Sequence, residues 1–427
     1  MRRHDPVELM NPNFGVTPLM NRLNNGTSSP GETQVVPTSG FQLGRSQYSS
    51  HHIIGRESRV PVLLPSIPAS QPPSFLFSSN LVFAVTLGLL LCSFSAMAQE
   101  TPPLAAVSPL WAGHLRPEGM ELQALDHQGW TFSVSYAYGN TFFVSPDIVE
   151  THVEINGAGA DLTQEALDQT RYLWPQADLY AIDTETSRFD LEVGFSSGRW
   201  FGGLRVPVWR LGGTHLDGWP SGTHDFLGVS NGGREFFPEG QTVVALMPPG
   251  GRSWSFDGNQ SARVMGLTGW GGLRWSIGEN GGHRVWVALS APVDDDGPWG
   301  NQGSSGGVRW SIANRWDGLG LYCGLGWTHQ GGGAGTLGDA ADTFHAWAGA
   351  DISLGRRWAL LMMFRLDDSV FADVDPGKAG RATGEFAIGF GAPLGQSLRL
   401  QLVLGEDFPG MGMAPDFSIQ GRLVWRP

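Results

Sequence analysis

The chain has 427 residues, of which 27 are Lys or Arg and 40 are Asp or Glu, for a formal net charge of −13. Six basic and four acidic residues precede Gln99, so the part from Gln99 onward carries a net charge of −15. This balance argues against nucleic acid as a partner, because phosphate binding needs clustered cations, and Lys378 is the sole lysine. Cys323 is the sole cysteine after Gln99, which excludes a disulfide within that part of the chain.

Residues 1–73 are rich in Ser, Pro, Asn and Gly and show little hydrophobic periodicity. This composition predicts a disordered extension. Because export signals normally stand at the very N-terminus, we expect the true translation start to lie after Met1. Mass-spectrometric detection of residues 1–73 in the precursor, with export blocked, would contradict this expectation.

An apolar run over Leu81–Leu91 is followed by Ala96-Met97-Ala98. An apolar core that ends on small residues in an A-x-A pattern is typical of a secretory signal peptide. The sequence therefore predicts a signal peptide over 74–98, cleaved after Ala98, and a periplasmic N-terminal segment over 99–128.

Two alternatives compete for the apolar run. A transmembrane anchor needs about 20 apolar residues, and here Ser79 and Ser93 bracket a shorter stretch. Cys92 raises the possibility of a lipoprotein, but Leu91 is bulky where a lipoprotein signal has a small residue. A cleaved signal fits better than either.

After residue 100 the chain shows short segments of alternating polarity. In one of them Leu398, Leu400 and Leu402 alternate with Arg399 and Gln401. A period of two indicates a strand with one apolar and one polar face. The pattern predicts twelve strands, over 129–140, 180–197, 199–211, 262–278, 283–293, 307–316, 319–329, 344–354, 357–368, 381–392, 397–405 and 416–425.

A soluble β-sandwich would show the same alternation. The balance shifts because the apolar faces are rich in Trp, Leu and Phe, whereas the opposite faces carry charges such as Asp190, Glu192 and Arg309. The 17 tryptophans suit the aromatic girdles of membrane barrels. We therefore predict an all-β fold, a transmembrane antiparallel up-and-down β-barrel of about twelve strands over 129–427.

Connections and the last strand support this fold. Asp317-Gly318 predicts a two-residue hairpin turn, and short and long connections roughly alternate, as an up-and-down barrel requires. The last strand places Phe417 and Trp425 on one apolar face, the type of strand that the barrel assembly machinery recognises. Arg426 and Pro427 after that aromatic residue depart from the usual ending.

Charged side chains fall on the polar faces of the predicted strands. Opposing charges across a lumen can set a field that filters solutes; the alternative is that they pair within a closed lumen. The lumen-lining candidates are Asp190, Glu192, Arg205, Arg274, Arg309, Asp351, Arg365, Glu385 and Arg399.

The densest polar cluster lies in the Gly-rich loop 215–234, where His224, Asp225 and Arg234 are the candidates. A His beside a carboxylate can act as a general base or bind a metal; a solvated extracellular loop fits better. Asp294-Asp295-Asp296 could hold Ca²⁺, although such a charge run in a loop is more often merely solvated. The sequence assigns no catalytic residue, metal site or cofactor.

Two segments resemble a Gram-negative outer-membrane barrel family catalogued as a domain of unknown function. The likeness spans most of 105–427 and implies an outer-membrane location and a barrel, with no substrate. The residues that carry it are Asp225-Phe226 with Gly228, Asn231-Gly232-Gly233-Arg234, and Gly326-Trp327-Thr328-His329 with Gly331–Gly333.

These observations predict a pore or transport-type outer-membrane barrel for small solutes. The alternatives are an outer-membrane hydrolase acting on lipid, and a structural or adhesive barrel whose long loops bind. The expected partners are outer-membrane lipid and lipopolysaccharide, with the barrel assembly machinery during biogenesis and no nucleic acid. The sequence leaves the oligomeric state open.

Overall fold

The computed structural model describes residues 105, 107–112, 114–116, 128–213, 216, 218, 221–222, 233–249, 253–277, 281–293, 303–333, 337–355, 357–371, 380–408 and 414–427. The predicted extension 1–73, the predicted signal peptide 74–98 and Asp294-Asp295-Asp296 lie outside the described residues. The signal cleavage after Ala98 and the domain boundaries stay predictions.

The described part of the chain contains fifteen strands. They are β1 Gly129–Val144, β2 Leu179–Ser197, β3 Trp200–Leu211, β4 Val243–Met247, β5 Trp254–Asp257, β6 Gln260–Val264, β7 Gly266–Ile277, β8 Gly281–Pro292, β9 Ser305–Trp316, β10 Leu319–His329, β11 Thr343–Leu354, β12 Trp358–Asp367, β13 Thr383–Pro393, β14 Leu398–Asp407 and β15 Phe417–Trp425.

Twelve of these strands, β1 to β3 and β7 to β15, form a closed antiparallel barrel in which each strand pairs with its neighbour in the chain and β1 pairs with β15. Closure leaves no strand edge with unpaired backbone groups, which is what a lipid environment demands. The predicted up-and-down barrel of twelve strands is confirmed.

The connections alternate strictly between short turns and longer loops, so the barrel has a short-turn end and a loop end. Leu319 pairs with Trp316 across the predicted turn Asp317-Gly318, and Gly318 has a φ of +79°. Such a left-handed conformation is accessible to glycine without the steric penalty of a Cβ atom. The predicted hairpin turn is confirmed.

The outer face of the wall is apolar. On β13, Phe386, Ile388 and Phe390 are exposed, while the alternate residues Glu385 and Ala387 are buried. At the short-turn end an exposed aromatic girdle, typical of a bilayer interface, is formed by Trp130, Trp200, Trp275, Trp358 and Trp425. This outer belt marks the surface that faces lipid.

The loop end carries two helices between β1 and β2, α1 over Pro146–Asn156 and α2 over Gln164–Leu173. β4 pairs with the first residues of β2 and β5 pairs with β4, so this part of the wall continues beyond the barrel. Among the described residues, no helix is long and apolar enough to cross a bilayer.

The prediction of a single strand over 262–278 is wrong in one respect. The structure has two strands there, β6 and β7, which are separated at Met265. Arg205 pairs with Thr268, but three residues further along β3, Val208 pairs with Val264. One extra residue on the partner side is a bulge. Pro207 lies within the interval and has no N–H to donate to the ladder.

Candidate functional site: a filled lumen

The lumen contains part of the chain that precedes β1. We call the described residues between 105 and 116 the inner segment. Their contacts with the inner face of the wall define the candidate site. The inner segment belongs to the stretch 99–128 for which the sequence predicts a periplasmic position; the compartment of the stretch as a whole stays a prediction.

Two glutamine side chains hold the backbone of the inner segment. The Ala105 N–H donates to Gln420 Oε1 at 2.8 Å, and Gln420 Nε2 donates to the Ala105 carbonyl at 3.2 Å. Gln330 makes the same pair of bonds with Leu115, at 3.1 and 2.8 Å. Each amide therefore satisfies one backbone donor and one backbone acceptor that would otherwise be buried without partners.

Apolar side chains of the inner segment pack against the wall and the loops. Leu110 and Trp111 join a buried cluster with Trp209 and Leu211 of β3, and Leu115 packs with Trp286. Burying a large apolar side chain stabilises a structure by about 1.5–3 kcal/mol. The inner segment is therefore fixed in place by several independent contacts.

Arg116 ends the inner segment in a buried ion-pair network. Its Nε lies 3.0 Å from Asp367 Oδ2, and its Nη2 contacts the same oxygen and lies 3.0 Å from Glu385 Oε2. Arg365 Nε lies 2.7 Å from Asp367 Oδ2. Removing one partner of such a network leaves a buried charge uncompensated, at a cost of about 3–5 kcal/mol.

His345 of β11 connects this network to two hydroxyl groups. Its Nδ1 lies 2.6 Å from Asp367 Oδ1, and its Nε2 lies 3.2 Å from Thr328 Oγ1 and 3.1 Å from Thr343 Oγ1. A carboxylate, an imidazole and a hydroxyl in this order resemble a nucleophile relay. The side chains of His345, Thr328 and Thr343 are fully buried, and the Trp111 ring lies 5.9 Å away from that of His345. The closed arrangement admits no substrate to these hydroxyls.

The sequence reasoning missed both the inner segment and His345. His345 lies within the predicted strand 344–354, on the same face as the lumen-lining candidate Asp351, and this position was the available signal. Arg116, Gln330 and Gln420 gave no signal because their partners lie 215 to 315 residues away in the chain.

The structure places the nine lumen-lining candidates on strands of the barrel, and they fall into separate groups rather than one ring. Arg365 and Glu385 are cross-strand neighbours that join the Arg116 network. Asp190 Oδ2 lies 3.9 Å from Arg205 Nη1, and Glu192 Oε1 lies 3.5 Å from Arg422 Nη2.

The remaining candidates lie elsewhere. The Arg309 guanidinium lies 3.3 Å from the Trp347 ring and 5.8 Å from the Trp286 ring, a cation–π stack between two indoles. Arg274 donates to the carbonyl of Gly198 in a short turn at 3.0 Å. Asp351 and Arg399 line a cavity of about 100 Å³ at the short-turn end.

The loop candidates divide between described and undescribed residues. Arg234 Nη2 lies 2.6 Å from Asp416 Oδ2 and 2.7 Å from Asn140 Oδ1, so it ties its loop to the rim of the barrel. Phe142 lies beneath its guanidinium at 4.5 Å. His224 and Asp225 lie outside the described residues, so their standing as loop candidates stays a prediction.

A closed twelve-strand wall with a lipid-facing belt and an occupied lumen defines a transmembrane β-barrel protein. The family model described as "Protein of unknown function (DUF3187)" matches residues 163–423, and the chain belongs to this family. The resemblance to a barrel family of unknown function, found in the sequence, is thereby confirmed. No curated protein matches the chain.

Solved structures with a similar fold include three barrels. The COG4313 outer membrane channel from Pseudomonas putida F1 is 13% identical, with 73% of this chain and 99% of that chain covered and a TM-score of 0.42. The CymD monoaromatic hydrocarbon channel is 11% identical, with 76% and 98% covered and a TM-score of 0.36. A Pseudomonas aeruginosa FadL homologue is 11% identical, with 78% and 99% covered and a TM-score of 0.34.

Proposed function

We propose that this protein is an outer-membrane channel of transport type for small solutes, in which the inner segment closes the lumen and is displaced when a solute passes. The observation that carries the proposal is that the lumen is filled by a separate stretch of chain rather than by the wall alone. A stretch held by side-chain contacts can leave without breaking any strand pairing.

The outer-membrane location is part of the proposal. The predicted signal peptide, the apolar outer belt and the tryptophan girdle at the short-turn end support it. In this location lipid and lipopolysaccharide surround the wall, the barrel assembly machinery inserts it, and the short-turn end faces the periplasm.

A hydrolase is the second candidate, and the hydrogen-bonded set Thr328, His345 and Asp367 is the observation that favours it. These groups lie inside the lumen rather than at the lipid-facing rim, so a lipid substrate would reach them only after the inner segment had left. An adhesive or structural barrel is the third candidate and would need no displacement at all.

Single-channel recording in a planar bilayer tests the proposal. A variant lacking 105–116 should conduct steadily, whereas the complete mature barrel should open briefly and rarely. A Cβ atom placed on Gly139 would lie 3.1 Å from Val107 Cβ, so a shift of less than about 1 Å would bring the two atoms to the roughly 3.8 Å typical of disulfides. The Val107→Cys/Gly139→Cys variant should therefore lock the inner segment, and a reductant should restore the openings.

The Val107→Cys variant alone is the matched control for the lock. A deletion variant that folds, shown by its heat-modifiable mobility in gel electrophoresis, but conducts no better than the complete barrel would contradict the channel proposal. Lipid hydrolysis by that variant, lost on His345→Ala, would then favour the hydrolase. Surface binding without hydrolysis would favour the adhesive barrel.

A further inference from the structure

A small cavity lies between the inner segment and the wall on the side of β2, β3, β7 and β8. Its volume is about 30 Å³. The polar residues that line it are His114 and Arg116 of the inner segment, Arg188 and Arg205 of β2 and β3, and Thr268 and Ser290 of β7 and β8. Four strands and the inner segment therefore bring their polar groups to one point.

The described lining contains three guanidinium groups and no carboxylate. All three arginines are buried. Guanidinium groups bind carboxylate and phosphate oxygens in planar, two-bond geometry, and removal from water strengthens that attraction. The hydroxyls of Thr268 and Ser290, 3.3 Å apart, add donors that an oxyanion can use.

All three guanidinium groups have a carboxylate partner outside the cavity lining. Arg188 Nε lies 2.8 Å from Asp190 Oδ1, Arg205 Nη1 lies 3.9 Å from Asp190 Oδ2, and Arg116 is held by Asp367. Binding groups whose geometry is fixed before the ligand arrives lose less entropy when it binds. The carboxylates therefore orient the arginines toward the cavity without occupying it.

His114 contributes a neutral group. Burial lowers its pKa to about 4, and its Nε2 is buried with no hydrogen-bond partner among the described residues. A buried polar atom without a partner carries a desolvation cost that a ligand can relieve. Because His114 lines the same cavity as the arginines, a ligand bound there could make the missing hydrogen bond to Nε2.

We propose that this cavity is a subsite for a small oxyanion, the carboxylate or phosphate group of a solute. A volume of about 30 Å³ admits a group the size of two or so water molecules, which suits such a head group but not a whole large solute. Apolar Pro207 and Met265 border the cavity on the wall side and would contact an attached hydrocarbon. The assignment of the anion to the transported solute rests on the proposed function.

Isothermal titration calorimetry of the folded barrel in detergent tests the subsite, with sodium acetate and sodium phosphate as separate probes at constant ionic strength. Saturable binding of one or both is expected, and the stronger one identifies the head group. Arg205→Gln should weaken binding at least tenfold. Arg210→Gln, on the same strand but exposed, should leave it unchanged.

Thr268→Val is the second variant, which preserves shape and removes one donor, and it should weaken binding severalfold even if Arg205→Gln does not fold. Absence of saturable binding to the wild-type barrel, or equal binding by all variants, would overturn the subsite. Binding without conductance would support the subsite and contradict the channel proposal. Conductance without binding would support the channel and contradict the subsite.

Discussion

The two sides of the lumen are packed in different ways. On the side of β9 to β14 the ion-pair network of Asp367 and Glu385 lies at the loop end. Between this network and the short turns the wall fills the lumen with its own apolar side chains, a buried cluster that includes Tyr322, Trp347, Leu361, Met363 and Val403. On the side of β15 and β1 to β3 the wall presents charged groups, among them Arg188, Asp190, Arg205 and Arg422, and the small cavity lies between this side and the inner segment.

For the proposed channel, this difference predicts which side opens. Exposing the apolar cluster to water would cost roughly 25 cal/mol for each Å², whereas charged groups regain water when they are uncovered. A path for solutes is therefore expected along the polar side, where only the inner segment has to move. If the barrel is the proposed channel, the apolar side is expected to stay closed.

The largest expected effect concerns the anchor of the inner segment. Arg116→Met should weaken its attachment by about 3–5 kcal/mol, because Asp367 and Glu385 lose their shared partner in a buried site. Limited proteolysis should then cut within 105–116, and the fraction of time that the channel is open should rise. Arg399→Met, at the short-turn end, is the control; unchanged proteolysis in Arg116→Met would contradict the anchoring role.

The second prediction addresses the apolar side. Met363→Ala should lower the free energy of unfolding by about 2–5 kcal/mol, because it leaves a cavity in a buried cluster. Conductance should stay unchanged, since this side does not open. Met362→Ala on the lipid-facing side of the same strand is the matched control. If Met363→Ala raised the fraction of time that the channel is open as much as Arg116→Met does, the two sides would not differ in their ability to open.

The smallest expected effect is a dependence on pH. Burial lowers the pKa of His114 to about 4 while the inner segment lies in the lumen. Once the inner segment has left the lumen, the same imidazole takes up a proton near its ordinary pKa of about 6.5. The free energy that holds the inner segment in the lumen is therefore largest above about pH 6.5, and it decreases as the pH falls from there towards 4. The charged groups that face His114 across the cavity are Arg116, Arg188 and Arg205, each of which has a carboxylate partner.

The open probability should accordingly rise when the pH is lowered from 7 to 5. The free energy of opening should fall by an amount on the order of 1–2 kcal/mol. His114→Gln, which cannot be protonated, should have a flat profile over this range. A wild-type profile as flat as that of the variant would show that His114 does not sense protons.

Much of the wall could be predicted from the sequence because lipid on one face and a wet lumen on the other impose a period of two on every strand. The same alternation placed Arg365 and Glu385 on inner faces. Register was not predictable, since it depends on pairing between strands. The bulge at Met265 was missed for the same reason, because it is defined by the shift in pairing between β3 and its partners.

The inner segment could not be predicted for a different reason. Its residues show neither helical nor strand periodicity, because their partners are spread over several strands and loops of the wall. Arg116 and Asp367 are 251 residues apart in the chain, and no local pattern signals such a partner. Arg234 was predicted as a candidate functional residue of its loop. In the structure its contacts with Asp416 and Asn140 hold the loop against the rim of the barrel.

The contact between Ala105 and Gln420 has a consequence for biogenesis. Gln420 belongs to β15 and lies 315 residues after Ala105 in the chain, so the inner segment is synthesised long before this partner. We therefore expect the inner segment to gain its full set of contacts only when β15 pairs with β1 and the ring is complete. Binding of the inner segment in the lumen would then report that the barrel has closed.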